Sequence, residues 1–444
     1  MKNEEAVQVF LDIAGTPYPI GKLWFHYHGG RESTSFQYDE MWLSGPFKFS
    51  IDPELPAYPG LFHSDALFGV FSDAAPDRWG RLLMRKGDMS GRTLSTYDYL
   101  LRVDDDLRMG ALRFRIGNGP FLAEKSRVRV PPLTDLPRLV VAAQRLDAGN
   151  DDQELEDIQL LLRPGASLGG AHPKAVVTDS DGSWWIAKFP GIHAEDSYRS
   201  HWEYLSAHLA RRSGIHVPDH RLIHLPGNVA AFLTKRFDRD DNGYRIQYAS
   251  AMTILGARDG DTRSYEEIAE TLRELKVPIQ DIQELWRRLV FFVLVSNVDD
   301  HLRNHGVIWS PATGFRLSPA FDINPASPSQ DRTVHGTTLR FGGSAKMDFA
   351  MVWAAAKDFL LQEPDARAMI QRMIQVISTW LEEAKRERIP KSEIDRWSGA
   401  FIHEDFHAAM AVAQGKLVNV QPLPKVVKQI PKPPSGSWGG PSFP

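Results

Sequence analysis

The spacing of apolar and polar positions changes character along the chain. Up to about residue 125, short apolar runs alternate with Gly and Pro turns, as in Val7-Gln8-Val9-Phe10-Leu11 and Phe47-Lys48-Phe49-Ser50-Ile51. This period of two predicts a small β-rich subdomain, with one helix over 76–85. Residues 126–245 mix the two periods. A helix is expected over 153–162, a strand at Ala175-Val176-Val177 and a second at Ser183-Trp184-Trp185-Ile186-Ala187-Lys188-Phe189. A further helix opens near Asp196 or Ser197, carries Trp202, Leu205 and Leu209 on one face and stops at Gly214. From about 246 the helical period dominates, predicting helices over 265–275, 281–298, 348–361, 366–386 and 391–414. The second of these is apolar nearly all round between 289 and 295, as a helix buried at the centre of a domain would be. The stretch 421–444 is rich in Pro, Gly and Ser, its only charges are Lys425, Lys428 and Lys432, and it reads as a disordered tail.

Composition narrows the class without choosing a function. A chain of 444 residues with 42% hydrophobic residues fills two or three domains. The absence of cysteine excludes disulfides and thiolate metal sites. A net charge of −4 argues against nucleic-acid binding through global charge. The start of the chain, Met1-Lys2-Asn3-Glu4-Glu5-Ala6, carries no basic segment followed by an apolar run, and 289–295 is too short to span a bilayer, so a cytoplasmic protein without membrane contact is expected.

The chemistry concentrates in Asn297-Val298-Asp299-Asp300-His301-Leu302-Arg303-Asn304 and in Phe321-Asp322-Ile323-Asn324. Phosphoryl transfer needs a carboxylate to orient the attacking hydroxyl and hard oxygen donors to hold Mg²⁺ against the phosphates. Asp299 suits the first task, and Asn304 with Asp322 the second. Either motif alone is as well explained by helix ends and caps; their order and spacing together favour catalysis.

A partner region for the nucleotide is expected upstream. Ser167-Leu168-Gly169-Gly170-Ala171-His172-Pro173-Lys174 is neither a Walker loop nor a dinucleotide fingerprint, but Gly169 and Gly170 would let backbone approach phosphates and Lys174 would add charge. Taken alone it is a weak signal that a hairpin turn explains better. Lys188 ends an apolar strand, where an ammonium is costly unless it meets a carboxylate or phosphate. Glu203, on the following helix, stands where a kinase keeps the acid that pairs with such a lysine, although an isolated helix glutamate is more often solvated.

Two other classes compete. Asp299, Asp300 and His301 beside Asp322 suggest a metallohydrolase, but neighbouring side chains on a regular helix do not face one site, and nothing resembles H-E-x-x-H. His201, His208, His216, His220 and His224 are scattered and read as structural. A kinase fold retained as a silent binding module would be expected to lose one of Lys188, Asp299, Asn304 or Asp322, and all four are present.

Across almost its whole length the chain resembles the HipA-type serine/threonine kinases, toxins of bacterial toxin-antitoxin pairs. Ser167 through Lys174 is similar to the family's glycine loop, Lys188 to its strand lysine, and Arg236-Phe237-Asp238-Arg239 to the segment after its hinge. Asp299 through Asn304 resembles its catalytic loop, Ser318-Pro319-Ala320-Phe321-Asp322 its metal motif, and Gly110-Ala111-Leu112-Arg113-Phe114 its N-terminal subdomain. Asp77-Arg78-Trp79-Gly80-Arg81 is also family-like, with a structural role expected through stacking of Trp79 and its arginines. The resemblance implies an α+β, two-lobed protein-kinase-like fold: a β-rich subdomain (1–125), an N-lobe (126–245), an all-α C-lobe (246–420) and the tail (421–444). It implies ATP and Mg²⁺ as cofactors, Asp299 as catalytic base, Asn304 and Asp322 as metal ligands, and Lys188 on the ATP phosphates. Gly169, Gly170, Lys174, Lys235, Phe237 and His301 complete the nucleotide site, with adenine held by backbone around Lys235, Arg236 and Phe237. Ser167 is the implied autophosphorylation site that would switch the enzyme off by charge repulsion. The implied partners are a HipB-like helix-turn-helix antitoxin, DNA through that antitoxin, and a protein substrate such as glutamyl-tRNA synthetase. Tyr248-Ala249-Ser250-Ala251-Met252-Thr253-Ile254-Leu255-Gly256 departs from the more acidic segment of the best-studied branch, which leaves the substrate open.

Overall fold

The computed structural model describes residues 6–123, 130–149, 154–165, 172–192, 197–227 and 229–416. Ser167, Gly169, Gly170, Asp196 and the stretch 421–444 lie outside the described residues.

The N-terminal subdomain is an antiparallel sheet of β1 (Val7–Ile13), β2 (Thr16–His28), β3 (Arg31–Tyr38), β4 (Leu61–Ser64) and β5 (Leu112–Ile116), in the order β4-β3-β2-β1-β5. Four helices accompany it: α1 (Glu40–Ser44), α2 (Gly69–Asp73), α3 (Arg78–Gly87) and α4 (Thr96–Leu101). Only α3 was expected; the others are too short to display a 3.6 period. The alternating run 47–51 is not a strand. Phe49 and Ile51 are buried as the alternation requires, but the Phe49 carbonyl accepts from Trp42 Nε1 and the Ile51 N–H donates to the Tyr38 hydroxyl. Side chains thus take backbone groups that a neighbouring strand would have used.

The N-lobe holds α5 (Leu136–Ala148), α6 (Glu154–Gly165), β6 (Lys174–Thr178), β7 (Trp184–Lys188), α7 (Arg199–Arg212), β8 (His220–Leu225) and β9 (Val229–Lys235). Its sheet runs β6-β7-β9-β8, antiparallel throughout. One face, with Ala175, Val177, Trp185, Ala187 and Leu233, packs with α5, α6 and Trp79 of α3 into a core of its own. Helix α7 buries Trp202, Leu205 and Leu209 as expected. It opens at Arg199, and the chain turns away at Gly214, whose φ of +87° favours glycine.

The C-lobe contains β10 (Gln247–Ser250), α8 (Ala251–Ile254), α9 (Tyr265–Glu274), α10 (Ile279–Leu294), β11 (Gly306–Ser310), β12 (Gly314–Leu317), α11 (Phe349–Ala354), α12 (Glu363–Ile377), α13 (Trp380–Arg386), α14 (Lys391–Trp397) and α15 (Glu404–Ala413). It is therefore helical but not all-α, because β10, β11 and β12 form a small antiparallel sheet under the site. Gly306 is required there: a Cβ on it would lie 2.5 Å from the Tyr248 ring and 2.6 Å from the Ala249 carbonyl. The long helices expected over 366–386 and 391–414 are each broken. Between α12 and α13 the hydroxyls of Ser378 and Thr379 donate back to the carbonyls of Ile374 and Val376, competing with helical hydrogen bonds. Helix α10 stops at Leu294 rather than 298, because Ser296 takes a left-handed φ of 55°.

The N-terminal sheet, α7 and the C-lobe helices share one continuous apolar core. Asp238 ties the subdomain to the segment after β9, accepting from the N–H of Gly110 at 2.8 Å and from Arg236 Nη2 at 2.6 Å. No described helix is long and apolar enough to cross a membrane.

Candidate active site

Three charged side chains from three elements meet at one point. Lys188, the last residue of β7, donates through Nζ to Glu203 Oε1 of α7 at 2.5 Å and to Asp322 Oδ1 at 2.7 Å. The β-ladder explains the approach of the lysine, and the buried face of α7 explains Glu203, which is only 3% exposed. Burial works against the Lys188 charge, yet the two carboxylates overcome it and raise its pKa above the ordinary lysine value. Burial would likewise raise the Asp322 carboxyl, but Lys188 holds it well below the usual carboxylate range. Asp322 has a left-handed φ of 57°, uncommon for a side-chain-bearing residue though more accessible to Asp than to most, and this turn directs its carboxylate at Lys188.

The loop after α10 is held from both ends. Asn297 Oδ1 accepts from the N–H of Asn324 at 2.9 Å, binding the start of this loop to the Asp322 turn. Asn304 Nδ2 donates to the Asp299 carbonyl at 2.7 Å, which leaves Asn304 Oδ1 as the free end of that amide's orientation. Asp299 is exposed, and its Oδ1 lies 3.8 Å from His301 Nε2. Asp300 is fully buried and points the other way: its carboxylate accepts from the Tyr265 hydroxyl at 2.7 Å, the Gly336 N–H at 2.7 Å and His335 Nδ1 at 3.2 Å. Adjacent carboxylates thus serve opposite sides of one loop.

These groups border a cavity of about 840 Å³, lined among others by Lys174, Lys188, Glu203, His301, Asn304 and Asp322. Lys235 and Phe237 line it as well. Phe237 packs 5.4 Å from Phe321 and 5.8 Å from Tyr248 between ring centroids, forming an apolar wall. The backbone N–H groups of Lys235 and Arg236 donate to the carbonyls of Asp219 and Trp184. Lys174 stands opposite Lys188 in the β6–β7 register, a like-charge pairing that would be unfavourable unpartnered. It is relieved because Lys174 Nζ donates to Asp77 Oδ2 at 2.9 Å.

The donor set fits a hard divalent cation. Asn304 Oδ1 and the Asp322 carboxylate are oxygen donors that line the same cavity, and behind Asp322 the Asn324 side chain donates through Nδ2 to Asp322 Oδ1 at 3.1 Å while its own Oδ1 is buried without a hydrogen-bond partner. A cluster of three or more His, Asp or Glu side chains able to hold a metal does not occur among the described residues, consistent with Asp300 facing away from His301.

Of the sequence-predicted residues, Lys174, Lys188, Lys235, Phe237, His301, Asn304 and Asp322 share the cavity. Asp299 sits at the loop's exposed surface, and its side chain is not part of the lining. The expectation that Trp79 stacks with its arginines does not hold: Trp79 is buried and donates to the Lys174 carbonyl at 3.2 Å, while Arg81 lies over Tyr99. Sequence reasoning also passed over Asn297 and Asp77. Asp77 carries a legible signal as N-cap of α3, accepting from the Gly80 N–H at 2.6 Å, but its second oxygen is committed to a residue distant in sequence.

Comparison with known proteins identifies the family and the fold. Residues 166–381 match the family described as the HipA-like C-terminal domain, and residues 11–115 the HipA N-terminal domain. The chain is 26% identical over 196 residues to "Putative kinase" of Haemophilus influenzae and 29% identical over 209 residues to "Putative kinase Y4dM" of Sinorhizobium fredii. Each match covers 40% of this chain and, respectively, 57% and 50% of the relative, so the chain spans about half the length of the curated relatives it matches. In fold it is similar to a chain from the Shewanella oneidensis complex of the toxin-antitoxin proteins HipA and HipB with operator DNA. There the TM-score is 0.65 at 16% identity, covering 92% of this chain and 98% of that one.

Proposed function

The chain belongs to the HipA family, and from that premise we propose that it is an ATP- and Mg²⁺-dependent serine/threonine protein kinase acting as the toxin of a toxin-antitoxin pair. The observation that carries the reading is the meeting of Lys188, Glu203 and Asp322 in a cavity that also holds Asn304. A lysine oriented by a buried glutamate is the arrangement that presents an ammonium to nucleotide phosphates.

In this reading Lys188 binds the phosphates, and Phe237, Tyr248 and Phe321 form the apolar side of the base pocket. Adenine recognition by backbone would fall to carbonyls near Lys235 and to Phe237, since the N–H groups of Lys235 and Arg236 are engaged. Asn304 and Asp322 would hold Mg²⁺, which when bound neutralises the phosphate charge. Asp299, exposed to an incoming hydroxyl, orients it and accepts its proton. Gly169, Gly170 and Ser167 would cover the phosphates, with Ser167 as a self-modification site. A HipB-like antitoxin is the proposed partner, by analogy with the Shewanella complex, and a translation-related protein such as an aminoacyl-tRNA synthetase the proposed substrate.

The test is intact-mass spectrometry of the purified chain and of Asp299→Asn after incubation with Mg²⁺ and ATP, with peptide mapping. A phosphate on the parent alone supports the enzyme. Nucleotide binding without transfer to itself or to any added protein would indicate a silent binding module instead.

A further inference from the structure

One wall of the cavity has no part in the chemistry above. Helix α3 enters it from the N-terminal subdomain and presents Arg78, Arg81 and Arg85, all exposed, while Trp79, Gly80, Leu83 and Met84 are buried behind them. At 100° per residue the three arginines fall within about 60° of the helix surface, so they form one row. The other cations of the cavity are neutralised: Lys174 by Asp77, Lys188 by Glu203 and Asp322, Lys235 by Asp241 and Arg303 by Asp259. None of the three arginines makes an ion pair with a carboxylate among the described residues. Arg81 Nε donates to the Pro76 carbonyl at 3.1 Å, and its guanidinium lies 4.9 Å above the Tyr99 ring, which fixes its direction. Arg81 acts on the Asp77 and Asp259 carboxylates only through space, so the arginines without an ion-pair contact are gathered on α3, in a cavity that His301 and Asn304 also line.

We propose that the arginine row of α3 binds an acidic, extended segment of the polypeptide substrate next to the hydroxyl to be phosphorylated. The inference rests on the kinase reading of the same cavity. From Arg78 to Arg85 the helix rises about 10 Å, the length of about three residues of extended chain. A cavity of about 840 Å³ accepts a nucleotide and one such strand, whereas a nucleic-acid duplex needs an open groove. Arginine matches carboxylate geometry, and such a rim of charge selects partners more than it adds raw affinity.

The experiment uses the full chain carrying Asp299→Asn, so that binding is read without turnover, in the presence of Mg²⁺ and a non-hydrolysable ATP analogue. Fluorescent peptides with a central serine flanked by Glu, Gln or Lys are titrated by anisotropy, with a single-stranded RNA oligonucleotide as competitor. The Glu peptide is expected to bind about tenfold more tightly than the Gln peptide at low salt, with the advantage shrinking as salt rises. Adding Arg78→Glu and Arg85→Glu, which disturbs no packed ring, should remove that preference. Arg81→Ala should weaken it and also free Tyr99. Equal binding of Glu and Gln peptides, or a preference that survives both substitutions, overturns the proposal. So does a parallel loss of nucleotide affinity, which would assign the arginines to ATP, or tighter binding of the RNA. A retained Glu preference in a chain whose parent form transfers no phosphate would overturn the kinase reading alone.

Discussion

Lys188 and Asp322 lie 134 residues apart in sequence, yet Nζ and Oδ1 stand 2.7 Å apart, joining the N-lobe sheet directly to the turn that follows β12. The contact is partly shielded, with side-chain exposures of 17% and 26%. Lys188→Met would leave Asp322 and Glu203 facing each other without a cation. Removing one partner of a buried pair is costly, and we expect a loss of about 3 kcal/mol in urea unfolding at neutral pH. Lys188→Met with Glu203→Gln should recover part of it. Because the Asp322 carboxyl is held below its ordinary value, its contribution is present above the unfolded carboxylate pKa of about 4 and fades as pH falls further.

Asp299→Asn separates chemistry from stability. The side chain is 60% exposed, so unfolding free energy should change by less than about 0.5 kcal/mol. Phosphoryl transfer should fall by roughly 10²- to 10⁴-fold, the usual worth of a positioned base. Equal activity in the two proteins would remove Asp299 from the mechanism.

The neighbouring Asp300→Ala should behave in reverse. It strands His335 Nδ1 and the Gly336 N–H inside the protein, at about 1–3 kcal/mol for each unsatisfied buried group, and leaves the Tyr265 hydroxyl to His305 Nε2, 3.2 Å away. A clear drop in melting temperature is expected, with nucleotide affinity falling as the loop loosens. An unchanged melting temperature would show that the network is not structural.

His305 predicts the acid limb of stability. It is buried against Tyr265, and burial lowers its pKa to about 4, with Asp300 opposing the shift. Folded imidazole therefore stays neutral while the unfolded residue protonates near pH 6.5, so stability is full above that pH and is lost as pH falls from about 6.5 to about 4. The loss amounts to about 3 kcal/mol. His305→Gln should flatten this limb in chemical denaturation measured across that window.

Short motifs carry their own chemistry: Asn304 and Asp322 stand out by type and order and Lys188 by its cost in an apolar strand, and the structure brings these three to one cavity, while Asp299 lies outside its lining. Glu203 was not decidable from sequence, since a helix glutamate looks alike whether it meets water or a lysine; only the packing of α7 under β7 selects the lysine. The helix breaks at Ser378 and Ser296 were missed because both segments keep an apolar rhythm across the break. The C-lobe sheet was missed because its strands are short and set among helices.

By itself the sequence determined which residues carry charge, the course of long apolar-faced helices such as α7 and α10 to within a few residues at their ends, and the order of Lys188, Asp299, Asn304 and Asp322 along the chain. Periodicity and side-chain chemistry are local properties and survive without coordinates. Only the tertiary structure decided that Lys188 meets both Glu203 and Asp322, that Lys174 is claimed by Asp77, that Asp300 faces inward while Asp299 faces out, and that α3 lends its arginines to the cavity. Each of these depends on contacts between elements distant along the chain, where the choice of partner follows from the burial of apolar faces rather than from any pattern near the residue itself.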